Sequence, residues 1–196
     1  FHKEVENDAT LEDAGRAAFR QLEEGDTDLR KFWQSVVNIT MNEMQSLYDR
    51  LHISFDYTQG ESFYEDKMQV VIDEGKKKGV FTEGENGALI IEFPAESNLP
   101  PAIVVKADGA TIYLTRDLAT IFYRVSTIKP QAISYVVDVA QSLHFKQLFA
   151  TVEKLGWDLP RLEHVVFGRM SFADKSMSTR KGNILKLQDV LDEAHK

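Results

Sequence analysis

The 196 residues read as an α/β protein. A parallel sheet with its helices is expected in residues 108–196, preceded over residues 1–107 by a helical hairpin and a small β insertion. Three observations lead there. From Asp108-Gly109 onward, short apolar runs alternate with helical patterns, the signature of strand–helix–strand units and hence of a parallel sheet. Two of those runs, "AISYVVDV" and "LEHVVFG", are apolar almost throughout rather than at every second position, which is how strands covered on both faces read. The first 48 residues instead carry apolar side chains near a 3.6-residue spacing, which makes one face of a helix.

The elements follow in order. Ala14, Ala17, Ala18 and Leu22 lie on one helical face, and "EEGD" breaks the pattern at Gly25. A second face runs through Leu29, Phe32, Trp33, Val36, Val37, Ile39, Met44 and Leu47, so residues 9–48 form a helical hairpin. "LHISFDY", residues 51–57, alternates apolar and polar side chains and is expected to be extended. "ESFYEDKMQVVIDEGKKKG" is helical, with Gly79 as its stop. "ALIIEF" and "AIVVK", separated by "PAESNLPP", predict two short strands. A helix is expected over residues 114–127, a buried strand at "AISYVVDV", and a helix over residues 142–155 ended by Gly156. A strand follows at "LEHVVFG", and a last helix starts near Leu187.

Composition limits the partners. Lys and Arg number 23 against 31 Asp and Glu, a formal net charge of −8. Broad nucleic-acid surfaces need clustered Lys and Arg to displace phosphate counterions, so none is expected. The largest basic run, Lys76-Lys77-Lys78, falls at the end of a helix, where it complements the helix dipole. No 18-residue apolar run crosses a membrane, and no leader pattern opens the chain. Cys is absent, which excludes disulfides and thiolate–zinc sites and fits a cytoplasmic protein. The five His residues, at 2, 52, 144, 164 and 195, show no metal-ligand spacing; His52, in the alternating segment, reads as structural. Neither a phosphate-binding G-x-x-x-x-G-K-[ST] nor a G-x-G-x-x-G occurs. The chain opens on Phe1 and reads as a piece of something longer.

Ligands of open parallel sheets collect beyond the C-terminal strand ends. Three places are singled out: the turn with Asp138 and Gln141, the loop after "HVVFG", and the helix start "YLTRD". In the last, Tyr113 and Asp117 are four residues apart and share a helical face, while Thr115 and Arg116 should point elsewhere. A carboxylate can accept two parallel N–H bonds from a guanidinium, and a phenol ring can pack along its plane. The alternative is a first-turn carboxylate that only serves the helix dipole, beside a core aromatic. Around "SMSTRKGN" the choice is between a surface turn and a phosphate clamp. In the clamp, Ser178, Thr179 and backbone N–H groups donate, Arg180 and Lys181 neutralise charge, and Gly182 lets the backbone bend close.

"MSTRKGN" resembles the extended KMSKS signature loop of class I aminoacyl-tRNA synthetases. With "ESFYED", "YLTRDLAT", "YVVDVAQSLHFKQ", "AFRQLEEGD" and "LRKFWQ" in the same order, nearly the whole chain resembles the arginyl-tRNA synthetase family. The resemblance implies the C-terminal part of a Rossmann-like catalytic domain. It implies ATP-dependent activation of arginine to arginyl-adenylate, ATP being taken with Mg2+, and transfer to the 3′ end of tRNA(Arg). The partners implied are arginine, ATP and, through the full-length enzyme, tRNA; a monomer is expected, with no membrane.

Carried over position by position, Tyr113, Asp117 and Gln141 stand where the family holds the substrate arginine. His144 borders the nucleotide, Gly168 and Met170 mark backbone that receives the adenine, and Met177 and Ser178 reach the ATP. Ser178, Arg180 and Lys181 are the candidate catalytic residues beside the phosphates. The loop departs from the family pattern: Ser176 and Thr179 stand where lysines are standard, and Arg180, Lys181 or Lys175 would supply the charge. The family's HIGH signature is not in the chain, for "LHISF" lacks its Gly and second His, and no C-terminal anticodon-binding domain follows. The 196 residues alone are therefore not expected to aminoacylate. Two alternatives stand beside this reading: a class I synthetase for another amino acid, and a non-catalytic nucleotide- or protein-binding module with the same fold.

Overall fold

The computed structural model of the chain describes residues 2–8, 10–168 and 186–195. Its regular elements, in chain order, are α1 (His2–Val5), α2 (Thr10–Glu24), α3 (Thr27–Arg50), α4 (Met68–Lys77), β1 (Thr82–Glu83), β2 (Leu89–Ile91), β3 (Ala102–Val105), α5 (Tyr113–Tyr123), β4 (Ala132–Asp138), α6 (Ser142–Leu155), β5 (Arg161–Phe167) and α7 (Leu187–Ala194). They form two compact units. One covers Thr58–Arg169, and the other is made by the residues on either side of it. Among the described residues no helix is long and apolar enough to cross a membrane.

In the flanking unit, the break in the hairpin lies at "EEGD". Gly25 takes φ +97°, a left-handed conformation that side chains other than glycine's resist. Asp26 then caps α3: its carboxylate accepts the backbone N–H groups of Asp28 and Leu29 at 3.0 and 2.9 Å, the ordinary role of Asp at a helix N-terminus. Neither α2 nor α3 buries a residue completely among those described; Phe32 is 67% exposed. Arg50, in the last turn of α3, meets Asp192 of α7 at 2.6 Å.

The strand expected over residues 51–57 does not form. The N–H groups of Leu51, His52 and Ile53 turn back to the carbonyls of Leu47, Asp49 and Tyr48, so they serve the helix end and not a sheet ladder. His52 sits at φ +55°, which no strand accommodates. It is a helix-terminating residue rather than a strand histidine. Phe55 then packs edge-on against Tyr48, with ring centroids 4.9 Å apart.

The Thr58–Arg169 unit holds the core. A 3₁₀ stretch, Glu61–Lys67, leads into α4. Gly79 (φ +66°) ends that helix region as the sequence indicates. Within α4, a Cβ on Gly75 would lie 2.1 Å from the Phe81 ring, so glycine is what lets the chain fold back there. β1, β2 and β3 form an antiparallel sheet in that order. Val71 of α4, Ile91 and Val104 of that sheet, Leu118 and Ile121 of α5, and Leu148, Val152 and Leu155 of α6 are fully buried together. Removing such apolar area from water is the main favourable contribution to folding.

The strand–helix–strand expectation is met. β4 and β5 pair in parallel from Ala132↔Arg161 to Asp138↔Phe167, and α6 connects them before ending at Gly156 with φ +67°. The buried-strand expectation is corrected. Ile133, Tyr135 and Val137, with Leu162 and His164, are wholly or partly covered, and Phe145 of α6 packs on Tyr135 and His164. On the opposite face Val136 is 65% exposed and Val165 is also open. A run that is apolar at every position does not by itself reveal whether both of its faces are covered.

Candidate functional site

The site begins with the placement of α5. Thr115 is fully buried, and its hydroxyl donates a short hydrogen bond to the Val104 carbonyl of β3 while accepting from the Ile112 N–H at 3.4 Å. This bond fixes the first turn of the helix against the antiparallel sheet. The face turned away from the core then carries Tyr113, Arg116, Asp117, Thr120 and Arg124, at steps of three and four residues, the spacing of one helical stripe. A π-helical turn, Arg124–Ile128, extends α5.

That stripe is one wall of a cavity of about 720 Å³, within the range of small-molecule sites. The 3₁₀ stretch and the residues before it supply Gln59, Glu61 and Tyr64. β4 supplies Tyr135 and Val137, and the start of α6 supplies Gln141, His144 and Phe145. The β4–α6 corner is shaped by Asp138, whose carboxylate accepts the Ala140 N–H at 2.7 Å.

Charges in the cavity are paired across elements. Asp117 Oδ2 lies 2.6 Å from His144 Nε2, and Arg116 donates to Glu61 Oε2 at 3.3 Å. The Arg116 guanidinium also stands 5.8 Å from the Tyr113 ring centre, and that of Arg124 stands 5.8 Å from the Tyr135 ring centre. The Tyr135 hydroxyl is buried and meets no hydrogen-bond partner among the described residues. Burial pushes the phenol up to about 12; the positive charge of Arg124 opposes the shift and the negative charge of Asp117 adds to it. The cavity thus offers carboxylate acceptors, stacking surfaces and amide groups, and its half-buried charges are screened less than surface ones.

Tyr113, Asp117 and Gln141 all line this cavity. Tyr113 is 68% exposed, so it is not the core aromatic of the alternative reading. His144, expected beside a nucleotide, reaches from α6 to bond Asp117 of α5. Arg116 does not point elsewhere: it faces the cavity and pairs with a residue 55 positions earlier. Thr115 does leave the site, into the core. Gly168 is exposed directly after β5, and a Cβ there would touch nothing within 4 Å; it is not among the cavity-lining residues. Met170, Met177, Ser178, Arg180 and Lys181 lie outside the described residues, as do Lys175, Ser176 and Thr179. Glu61, Thr120, Arg124 and Tyr135 were not anticipated. For Thr120 and Arg124 the signal was present, because they continue the Tyr113–Asp117 stripe at steps of three and four residues.

The chain is similar to known proteins along its whole length. The model of the family described as tRNA synthetases class I (R), catalytic domain, matches residues 1–196. The chain is 45% identical over 195 residues to an arginine–tRNA ligase of Clostridium perfringens, covering 99% of this chain and 34% of that protein. To an arginine–tRNA ligase of Leuconostoc citreum it is 41% identical over 196 residues, covering 35% of that protein. The chain therefore spans about a third of the length of the curated relatives it matches. Among solved structures, the arginyl-tRNA synthetase of Plasmodium falciparum superposes with a TM-score of 0.70 at 28% identity, covering 77% of this chain and 27% of that one. A putative arginyl-tRNA synthetase from Campylobacter jejuni gives the same score at 16% identity, over 92% of this chain and 41% of its own, a likeness of fold alone. Since the family model runs the full length of the sequence, the chain belongs to the class I (R) tRNA synthetase catalytic-domain family.

Proposed function

We propose that this chain supplies the amino-acid-recognising part of an arginine–tRNA ligase. Such an enzyme joins the carboxylate of arginine to the α-phosphate of ATP, releases pyrophosphate, and passes the arginyl group to the 3′ end of tRNA(Arg). The observation that carries the reading is a carboxylate, Asp117, lining one cavity with the exposed ring of Tyr113 and with Gln141. A guanidinium is planar, permanently charged and rich in donors. It can bond an Asp117 oxygen, lie along the Tyr113 ring and donate to the Gln141 amide oxygen. An isosteric but uncharged side chain would keep some N–H donors but lose the charge that strengthens a hydrogen bond to a carboxylate.

ATP enters as its Mg2+ complex, the metal riding on the phosphates as substrate. Gly168 and Met170 are assigned to the adenine side, and Met177, Ser178, Arg180 and Lys181 to the phosphates. Positioning the carboxylate oxygen against phosphorus and steadying the leaving pyrophosphate is most of what such a reaction asks of a protein. A cytoplasmic place goes with this reading, as the compartment where tRNA is charged. The test is amino-acid-dependent ATP–pyrophosphate exchange by the full-length gene product, with tRNA present, over a panel of amino acids. Arginine alone should drive exchange, and Asp117→Ala should reduce kcat/KM for arginine at least a hundredfold, about 3 kcal/mol. Exchange driven by a different amino acid would overturn the specificity, and no exchange with any amino acid would leave a binding module.

A further inference from the structure

The Asp117–His144 pair has a consequence for recognition that the family match does not contain, and it rests on Asp117 being the guanidinium acceptor. Nε2 of His144 lies 2.6 Å from Oδ2 of Asp117. An ionised carboxylate has no proton to give, so Nε2 carries the hydrogen and donates. Among the described residues nothing bonds Oδ1 of Asp117, which is left for a ligand. The imidazole is held in this attitude by packing: its ring stands edge-on to Phe145 at 5.3 Å, and Phe145 is in turn stacked on His164 at 4.4 Å. Both partners are half-buried, with side-chain exposures of 25% and 36%.

We propose that His144 is a positioning residue for Asp117 and makes recognition of a cationic side chain sensitive to protonation. Neutral, the imidazole orients the carboxylate and leaves its charge for the incoming guanidinium. A second proton, added at Nδ1, gives Asp117 a cationic partner and sets that partner against the ligand across one carboxylate. Binding of the cation and protonation of His144 therefore oppose each other, and by linkage each weakens the other equally.

Other charges face this pair. Arg116 and its partner Glu61 come from α5 and the 3₁₀ stretch, and Arg124 from the π turn. Tyr64, Tyr113 and Tyr135 complete the walls, and His164 lies behind Phe145 with its Nε2 3.1 Å from the Val137 carbonyl. Any pH effect from these groups survives replacement of His144, which separates their contribution from its own.

The experiment is arginine-dependent ATP–pyrophosphate exchange by the full-length gene product, wild type and His144→Gln, with the KM for arginine followed from about pH 8 down to about pH 6. Glutamine keeps an N–H donor near the position of Nε2 but takes up no proton. The wild-type KM should rise severalfold on acidification with kcat changing less, and the variant's KM should rise distinctly less. The wild type also carries a control that needs no variant. L-Citrulline has the same shape with an uncharged ureido group, and its inhibition constant should not rise on acidification. Superimposable KM profiles for wild type and variant, or a citrulline constant that climbs in parallel with the arginine KM, overturn the inference while leaving arginine as the substrate. Absence of arginine-dependent exchange at any pH removes instead the reading on which the inference rests.

Discussion

The ammonium of Lys78 donates to the carbonyl of Leu155 at 2.6 Å, joining the C-terminal end of α4 to that of α6 across 77 residues of chain. The same ammonium meets Glu74 at 2.6 Å, and Glu74 accepts the indole N–H of Trp157 at 3.0 Å. One carboxylate and one carbonyl at the end of a helix are thus satisfied by two long side chains.

From this follows a stability prediction. Trp157→Phe keeps the ring but loses the indole donor, and Lys78→Met keeps the stem but loses the charge. Each should cost about 1 kcal/mol, the ordinary net worth of a partly exposed hydrogen bond. Because both act on Glu74, the double variant should depart from the sum of the two by at least about 0.5 kcal/mol. Urea denaturation of the four proteins reads this directly, and strict additivity would show that Glu74 does not link them.

Thr115 should be far less replaceable than its neighbours on α5. Thr115→Val is close in shape but leaves the Val104 carbonyl and the Ile112 N–H without the hydroxyl, in a position with no exposure. An orphaned buried acceptor costs about 1–3 kcal/mol. Thr115→Ser retains the hydroxyl and gives up one methyl, about 0.8 kcal/mol. Denaturation midpoints should therefore rank wild type, serine, valine; valine ranking above serine would mean the hydroxyl contributes nothing.

Tyr135 predicts an alkaline effect. Its phenol is raised from the ordinary value of 10.0 to about 12, mainly by burial, so the folded state prefers the neutral form. The stability this preference represents is fully present below the unfolded value, near pH 10, and is lost as pH rises through about 12. Tyr135→Phe should lessen the decline in stability between about pH 9 and pH 11.5. Near neutrality the change should stay within about 1 kcal/mol, since the hydroxyl has no hydrogen-bond partner among the described residues to lose. Melting curves at the two pH values compare the proteins, and equal alkaline losses would count against the assignment.

Local chemistry was legible wherever one residue decides the backbone. Gly25, Gly79 and Gly156 all adopt positive φ at the ends that their sequence contexts indicate, and the Tyr113–Asp117 spacing placed both on one cavity wall. What could not be read were relations between distant segments. Glu61 meets Arg116 across 55 residues, and Asp117 meets His144 across 27; no periodicity encodes which helix face confronts which loop. "LHISFDY" misled because alternation reports side-chain chemistry, whereas the N–H groups of its first three residues were already claimed by the end of α3.

The stripe on α5 also acts as a ruler. Tyr113 and Arg124 are eleven residues apart, and eleven residues make about three turns of an α-helix, so both ends of the wall face the same way. Inserting or deleting a single residue between them would rotate one end by about 100° relative to the other and carry Tyr113 or Arg124 off the cavity. Changes of length inside α5 should therefore be absent from relatives that keep the site.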